Sequence, residues 1–472
     1  MPKKIFLLLT LFLFAVVISG ASYANGVSDI YVSPDGNDVT GTGTDVNPYE
    51  TVGKGIDAAA GASPTVHMAA GTYDQDNGGV STDYGITITK DVTIQGAGKD
   101  QTFIDAGSND RIFSIDNGYT VTLKDLTILN GLQGLGGAIS NEGTLILINC
   151  NFKDNTAASG GAIYNTGTTS ASNCLFENNE ALPNLSGGAI YTSYGSSLTV
   201  TGSTFTKNKD TSNHGGAIYA SYAAMLEIIG NNFLSNTGNA IYIEYYRSTN
   251  EAAGTPTWNI NFNRIVGNTP YGLYIGGYNY VTEAFAAGSN IINTLIQIDA
   301  TNNWWGSNND PRTLSNAIYD PMNYADTSKW LVLKIGANPN SISFGSTSLV
   351  TASVIYNNLG EDTSSIGHIP DGAPITITTD IGNVGSKSVT LYTVNGIVTT
   401  IFKGNDGLGT AHIYAILDGF KTPLPALVEV TAAASSVSAR TVEMQATGTP
   451  VLPLFLAVLL VVGGIVLPKR EN

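Results

Sequence analysis

Cysteine is nearly absent from this chain: its 472 residues include two, Cys150 and Cys174, with no Cys-x-x-Cys spacing. That argues against a disulfide-knit scaffold and a structural zinc site. Charge is scarce as well, at 12% of residues. Basic groups are outnumbered, 21 Lys and Arg against 37 Asp and Glu, for a net charge of −16. A balance so acidic speaks against a nucleic-acid partner and fits a surface that repels its neighbours. The four histidines, His67, His214, His368 and His412, fall in four separate segments. What fills the chain instead is 54 glycines with much Asn, Thr and Ser. Such a composition disfavours helices and suits short strands joined by tight turns.

Within it, one phrase recurs. Gly-Gly-Ala-Ile stands at 136–139, 160–163, 187–190 and 215–218, with a worn copy, Gly-Asn-Ala-Ile, ending at Ile241. A second phrase, apolar-x-x-Asn, follows each copy. Its apolar position is filled by Ile128, Phe152, Phe176, Phe205, Phe233 and Ile265, at spacings of 24, 24, 29, 28 and 32. A period in this range marks stacked repeats, each one supersecondary unit. Seven and five residues before that position lie Leu145/Leu147, Leu198/Val200 and Leu226/Ile228, an alternation that predicts strands with one buried face. Three residues before it, Asp125, Asn149, Asn173, Gly202 and Gly230 read as turn formers. Three residues after it, Asn155, Asn179, Asn208, Asn236 and Asn268 recur. Asn tolerates left-handed backbone, and stacked Asn side chains can hydrogen-bond up a column. Strand, corner, strand, corner in register is a parallel β-helix.

These repeats resemble the right-handed β-helix of the pectate-lyase-like superfamily. The phrases Gly-Gly-Ala-Ile-Tyr and Asn-Cys-x-Phe-x-x-Asn are similar to repeats of polymorphic outer-membrane and archaeal adhesin-like proteins. The stretch Asp299-Ala300-Thr301-Asn302-Asn303-Trp304-Trp305-Gly306 resembles the segment that closes the helix in archaeal adhesin-like proteins. The resemblance covers roughly residues 28–330 and implies a surface location far better than an activity.

The expected organisation is all-β with flanking sorting segments. Residues 1–24 read as a signal peptide: Lys3 and Lys4, an apolar core, then Ser22-Tyr23-Ala24. Residues 25–64 read as an N-terminal cap with a short amphipathic helix, and 65–330 as the β-helix with its C-terminal cap. In 331–432 the Gly-Gly phrases stop. Alternating strands such as Val350-Ala352-Val354-Tyr356 appear, with turns at Asp371-Gly372, Asn395-Gly396, Asp406-Gly407 and Asp418-Gly419. This predicts a β-sandwich similar to the Ig-like domains of invasin-type surface proteins. A linker (433–448), a transmembrane anchor (449–468) and a basic cytoplasmic tail (469–472) complete the reading, which places residues 25–448 outside the cell.

Candidate sites follow from coil position. The residue after each repeated Ile is Ser140, Tyr164, Tyr191, Tyr219 and Tyr242, with Tyr274 in phase. If Ile points inward, alternation turns the tyrosines outward as one column suited to sugar rings. The plainer alternative is a structural ladder of stacked rings. The insertion holding Tyr245, Tyr246 and Arg247 adds aromatic and basic groups in a loop, where contacts often reside. Trp304 and Trp305 read as a cap over the last coil and not as an exposed platform. Asp35, Asp38 and Asp45 could hold calcium, though not with EF-hand spacing; no cofactor is expected. Asn184-Leu185-Ser186 is a glycosylation sequon. Cys150 and Cys174 share a coil position and are expected as two buried thiols, with a disulfide as the alternative. Polysaccharide lyases and hydrolases of the superfamily need converging carboxylates. The columns Lys153, Glu177, Thr206, Leu234, Val266 and Asp154, Asn178, Lys207, Ser235, Gly267 stack no two carboxylates. The expectation is a non-catalytic adhesin-like protein that binds glycans or surface proteins of neighbouring or host cells. The alternatives are a surface polysaccharide lyase or hydrolase, and a structural envelope component without a ligand.

Overall fold

The computed structural model describes residues 29–75, 82–193, 195–221, 225–244, 258–276 and 298–433. The expected signal peptide, anchor, tail and nearly all of the linker lie outside these residues, as do Tyr245, Tyr246 and Arg247. Among the described residues, no helix is long and apolar enough to cross a membrane.

Parallel strands stack coil on coil into three long sheets of 11, nine and eight strands, with a fourth sheet of four. The pattern is that of a parallel β-helix. Strand Asp29–Val32 pairs in parallel with Thr65–Met68, so the N-terminal segment supplies the first rung of the longest sheet itself. The helix Val52–Ala58 buries Val52 and Ile56 over this open end. Thr51 accepts from Lys54 N at its start, and Lys90 Nζ reaches the carbonyls of Ile56, Asp57 and Ala59 at its finish.

Alternation sets the core. In Thr144–Ile148 and its neighbours Leu145, Leu147, Leu198, Val200, Leu226 and Ile228 are all fully buried. Phe152, Phe176, Phe205 and Phe233 form one stack inside, with ring centroids 4.6–5.0 Å apart. The corners on either side of this stack are left-handed from the Ile128 coil to the Ile265 coil. Before it, φ is +54 to +65° at Asp125, Asn149, Asn173, Gly202, Gly230 and Phe262. After it, φ is +55 to +69° at Asn130, Asp154, Asn178, Lys207, Ser235 and Gly267.

The recurrent Asn therefore does not serve left-handed backbone, as its residue type suggests; the left-handed residue is the one before it. Asn155, Asn179, Asn208, Asn236 and Asn268 are instead buried inside the corner. The amides of Asn155, Asn179, Asn208 and Asn236 each donate to the next Asn Oδ1 at 2.9–3.0 Å, and all five donate to the carbonyl of the Ile or Phe one coil back. Each Oδ1 in turn accepts a backbone N–H from the neighbouring coil. The ladder thus satisfies corner groups that no strand pairing reaches.

The first Gly of each repeat is left-handed, as at Gly160 with φ +65°. The second is forced by crowding: a Cβ on Gly188 would lie 2.1 Å from Gly216 O. Cys150 and Cys174 sit on adjacent rungs as free, buried thiols.

Strands in 331–432 form a three-stranded and a six-stranded sheet that share one core of Val350, Val354, Ile375, Ile377, Ile413 and Val428, among others. Asn395-Gly396 and Asp418-Gly419 are two-residue hairpin turns with both residues left-handed. Asp406-Gly407 and Asp371-Gly372 connect strands of different sheets.

This module closes the last coil. Trp304 is fully buried and Trp305 nearly so, which makes them cap residues. Asp418 accepts from Trp304 Nε1 at 2.8 Å and from Arg264 Nε at 2.9 Å, with a second Arg264 contact through Nη2. Phe262 presses its ring onto Gly367, where a Cβ would lie 2.6 Å away.

Candidate functional site

The nine-stranded sheet carries the tyrosines. Its strands Ile163–Asn165, Ile190–Thr192, Ile218–Ser221 and Ile241–Glu244 point Ile inward, and each Ile is fully buried. The following residue then faces out. Strand register pairs Tyr164, Tyr191, Tyr219, Tyr242, Tyr274 and Tyr319 in succession. Their rings stack at 4.6–5.2 Å between centroids and within 19° of parallel. Six rings form one column. Tyr319 joins it from the C-terminal cap.

The column is not uniform. Tyr164, Tyr191, Tyr242 and Tyr274 are half-buried and Tyr319 is exposed, whereas Tyr219 is 7% exposed. The Tyr219 hydroxyl donates to Glu244 Oε2, which also accepts from Ser221 Oγ at 3.2 Å. Burial, and then the Glu244 carboxylate, push the Tyr219 phenol pKa far up; burial also raises that of Tyr191. His214 stands edge-on to Tyr242, 5.4 Å between centroids. Stacking occupies both faces of the inner rings, which leaves their outer edges to contact a ligand.

Tyr164 differs, because the column ends there. Its partner on the preceding rung is Ser140, followed by Ser114 and Thr87. A tyrosine ring is thus the riser of a step whose tread is a row of hydroxyls, at a rung spacing of ~4.8 Å. Arg111 flanks the tread. Its Nη1 donates to Ser114 Oγ at 2.8 Å and its Nε to Gly136 O at 3.0 Å, while Nη2 donates to Leu135 O at 2.6 Å. One hydrogen on each terminal nitrogen has no protein partner among the described residues. Burial lowers the Arg111 pKa, and Asp110 counters it. Sequence reasoning missed Arg111, since it lies outside the repeated phrases.

The other candidate residues scatter. Lys153 from one column and Lys207 from the other flank Glu177 at 3.5 and 3.2 Å, so these charges form a surface ion-pair cluster. Burial pushes the Glu177 pKa up, and the hydrogen bonds and charges of Lys207 and Lys153 together outweigh it and lower the value. His67 pairs with Asp29 on the first rung, and His412 with Asp380 in the second module. The Asp38 carboxylate accepts from Glu50 N, Thr51 N and Thr51 Oγ1, which makes it a loop organiser, while Asp35 and Asp45 are exposed. No group of three or more His, Cys, Asp or Glu among the described residues is placed to hold a metal ion. Asn184 is exposed and left-handed, at φ +69°.

No curated protein and no solved structure matches the chain. A family model described as a right handed beta helix region matches residues 78–255, the part that holds the Gly-Gly-Ala-Ile repeats and the column from Tyr164 to Tyr242.

Proposed function

We propose that the chain is a non-catalytic, adhesin-like binding protein displayed outside the cell. In this reading residues 1–24 direct export and 449–468 anchor the chain. The second module, read as an Ig-like stalk, holds the β-helix clear of the membrane. The ligand is a glycan or a cell-envelope polymer of a neighbouring or host cell. A solenoid suits such a ligand because it offers a long lateral face where a compact domain offers one deep pocket.

One observation carries the proposal: the tyrosine column ends on an unstacked ring face above a hydroxyl tread. At Tyr164 a sugar ring can lie flat on an aromatic face while Ser140 and Ser114 meet its hydroxyls, and Arg111 supplies free donors beside them. Further along, the phenol edges continue as a polar track for a polymer.

The test is a glycan array probed with the ectodomain, residues 25–448, as wild type and Tyr164→Ala. The variant loses one stacking contact, about 0.5–1.5 kcal/mol of stability. It should stay folded and lose about tenfold or more in affinity for whatever the wild type binds. Equal binding by both proteins removes Tyr164 as the site. Release of new reducing or unsaturated ends from acidic polysaccharides would replace binding by catalysis.

A further inference from the structure

A second concavity lies away from the tyrosine face, at the C-terminal cap. Its volume is about 620 Å³, within the range of ligand sites. Three chain segments build it: the short 3-10 helix Pro311–Thr313, the run through Ala325–Asp326 into Trp330, and the turn at Asn358 of the second module. None of them belongs to the repeated phrases.

Its walls are fixed from behind. Arg312 Nε donates to Thr327 Oγ1 at 2.8 Å, and its Nη2 donates to Ala325 O at 2.9 Å and Asp320 Oδ2 at 3.2 Å. The Asp320 side chain is fully buried, so the Arg312 charge is matched from within the wall. Asn358 accepts from Trp330 N at 3.0 Å and donates to Ser328 O at 3.1 Å, tying the far side. The indole of Trp330 donates Nε1–H to Asn308 O at 3.0 Å. With that group satisfied, what the half-buried ring turns to the cleft is apolar. Tyr324, also half-buried, is the second aromatic wall.

Two exposed carboxylates face the same space. Asp310 Oδ1 accepts from Arg312 N and Asp326 Oδ1 from Ser328 N, each at 2.9 Å. The second oxygen of each has no hydrogen-bond partner among the described residues. With Arg312 neutralised by Asp320, the cleft presents net negative charge, two acceptors and two aromatic rings.

We infer that this cleft binds a short neutral saccharide. Its hydroxyls donate to Asp310 and Asp326, and its apolar ring face packs on Trp330 and Tyr324. Anionic ligands, acidic sugars included, are repelled by the carboxylates. The site is independent of the tyrosine column and shares no residue with it.

Trp330 supplies the readout. The other three tryptophans, Trp258, Trp304 and Trp305, are buried, so a ligand that changes indole emission reports this cleft. The ectodomain is titrated with neutral gluco-, manno- and galacto-oligosaccharides, with oligogalacturonate and oligolysine as charged probes, by fluorescence and by calorimetry. The expected result is saturable binding of at least one neutral saccharide with a change in emission. Asp326→Asn keeps an acceptor for Ser328 N and so keeps the turn. It should weaken that binding about tenfold, the loss of one hydrogen bond to a charged group. Trp330→Phe should abolish the emission change while calorimetry still detects the saccharide. The inference is overturned if no neutral saccharide binds, if oligogalacturonate or oligolysine binds as well as the best of them, or if Asp326→Asn leaves the affinity unchanged. Tyr164→Ala should leave it unchanged, which separates failure here from failure of the lateral-face proposal.

Discussion

Replacing Asn208 tests what the corner column does. Its amide donates to Phe176 O at 2.8 Å and to Asn236 Oδ1 at 3.0 Å, and its Oδ1 accepts from Asn179 N and Asn179 Nδ2. Two of those partners keep another bond after truncation: Asn236 Oδ1 still accepts from Asn208 N, and Asn179 Nδ2 still donates to Phe152 O. The Asn179 N–H does not, whereas the Phe176 carbonyl keeps the strand-ladder bond that its register with Phe205 provides. One orphaned buried group gives about 1–3 kcal/mol for Asn208→Ala. Asn208→Gly should cost as much and add about 0.5–1 kcal/mol of backbone entropy, because Asn208 is not left-handed. Asn178, one residue earlier in its own coil, gives the reverse pattern. It is exposed with φ +58°, so Asn178→Gly should change stability within ~0.5 kcal/mol and Asn178→Ala should cost about 1–2 kcal/mol. Urea unfolding of residues 25–448, followed by circular dichroism, compares the four variants at equal slope. The reasoning fails if Asn208→Gly is tolerated while Asn208→Ala is not. That outcome would mean that Asn is kept for its backbone and not for its amide.

Three further outcomes are expected. Asp418→Ala leaves Arg264 and the Trp304 indole N–H without their acceptor in a junction where Asp418 is 7% exposed. It should cost about 3–5 kcal/mol and expose the connection between the two modules to limited proteolysis; unchanged cleavage would refute the coupling. Asp210 is fully buried, and burial raises its pKa to about 6, with Ser212 and His214 backbone groups and the His214 charge opposing. The folded value lies above the unfolded one, so this group costs stability as pH rises through about 6. Between pH 5 and 7 it should remove ~1 kcal/mol. Asp210→Asn should flatten that slope in stability-versus-pH curves, and an unaltered slope would count against the assignment. Cys150 and Cys174 should resist a thiol reagent in the native protein and both react after unfolding. A mass lower by two hydrogens without reduction would instead reveal a bridge.

Legibility in the sequence follows the physics of stacking. In a solenoid each coil touches only its neighbours, so the constraints on one coil recur in the next and appear as repeated letters. Ile-Tyr shows it: the inward Ile and the outward Tyr are set by strand alternation alone, and the phase carries over from Tyr164 to Tyr274. Ala317-Ile318-Tyr319 carries the same signal without its glycines, because beyond the last full coil no next carbonyl crowds the turn; the repeated glycine phrase therefore does not mark Tyr319. The Asn column was visible as a column, but its mechanism was not. Residue type permits both left-handed backbone and an amide ladder, and only the dihedral angles separate them. Phe262 is harder still. It takes a left-handed corner that a bulky residue pays strain to occupy, and the gain lies in a contact with Gly367, over a hundred residues away. Asp418-Gly419 likewise reads correctly as a hairpin turn, yet nothing local tells that its carboxylate enters the end of another module. The cleft at Trp330 joins three segments that never repeat, so no periodic constraint marks them. Repetition reveals what every coil needs. A binding site needs what its neighbours lack, and on this chain it begins where the column stops at Tyr164 and where the coils give way to the cap.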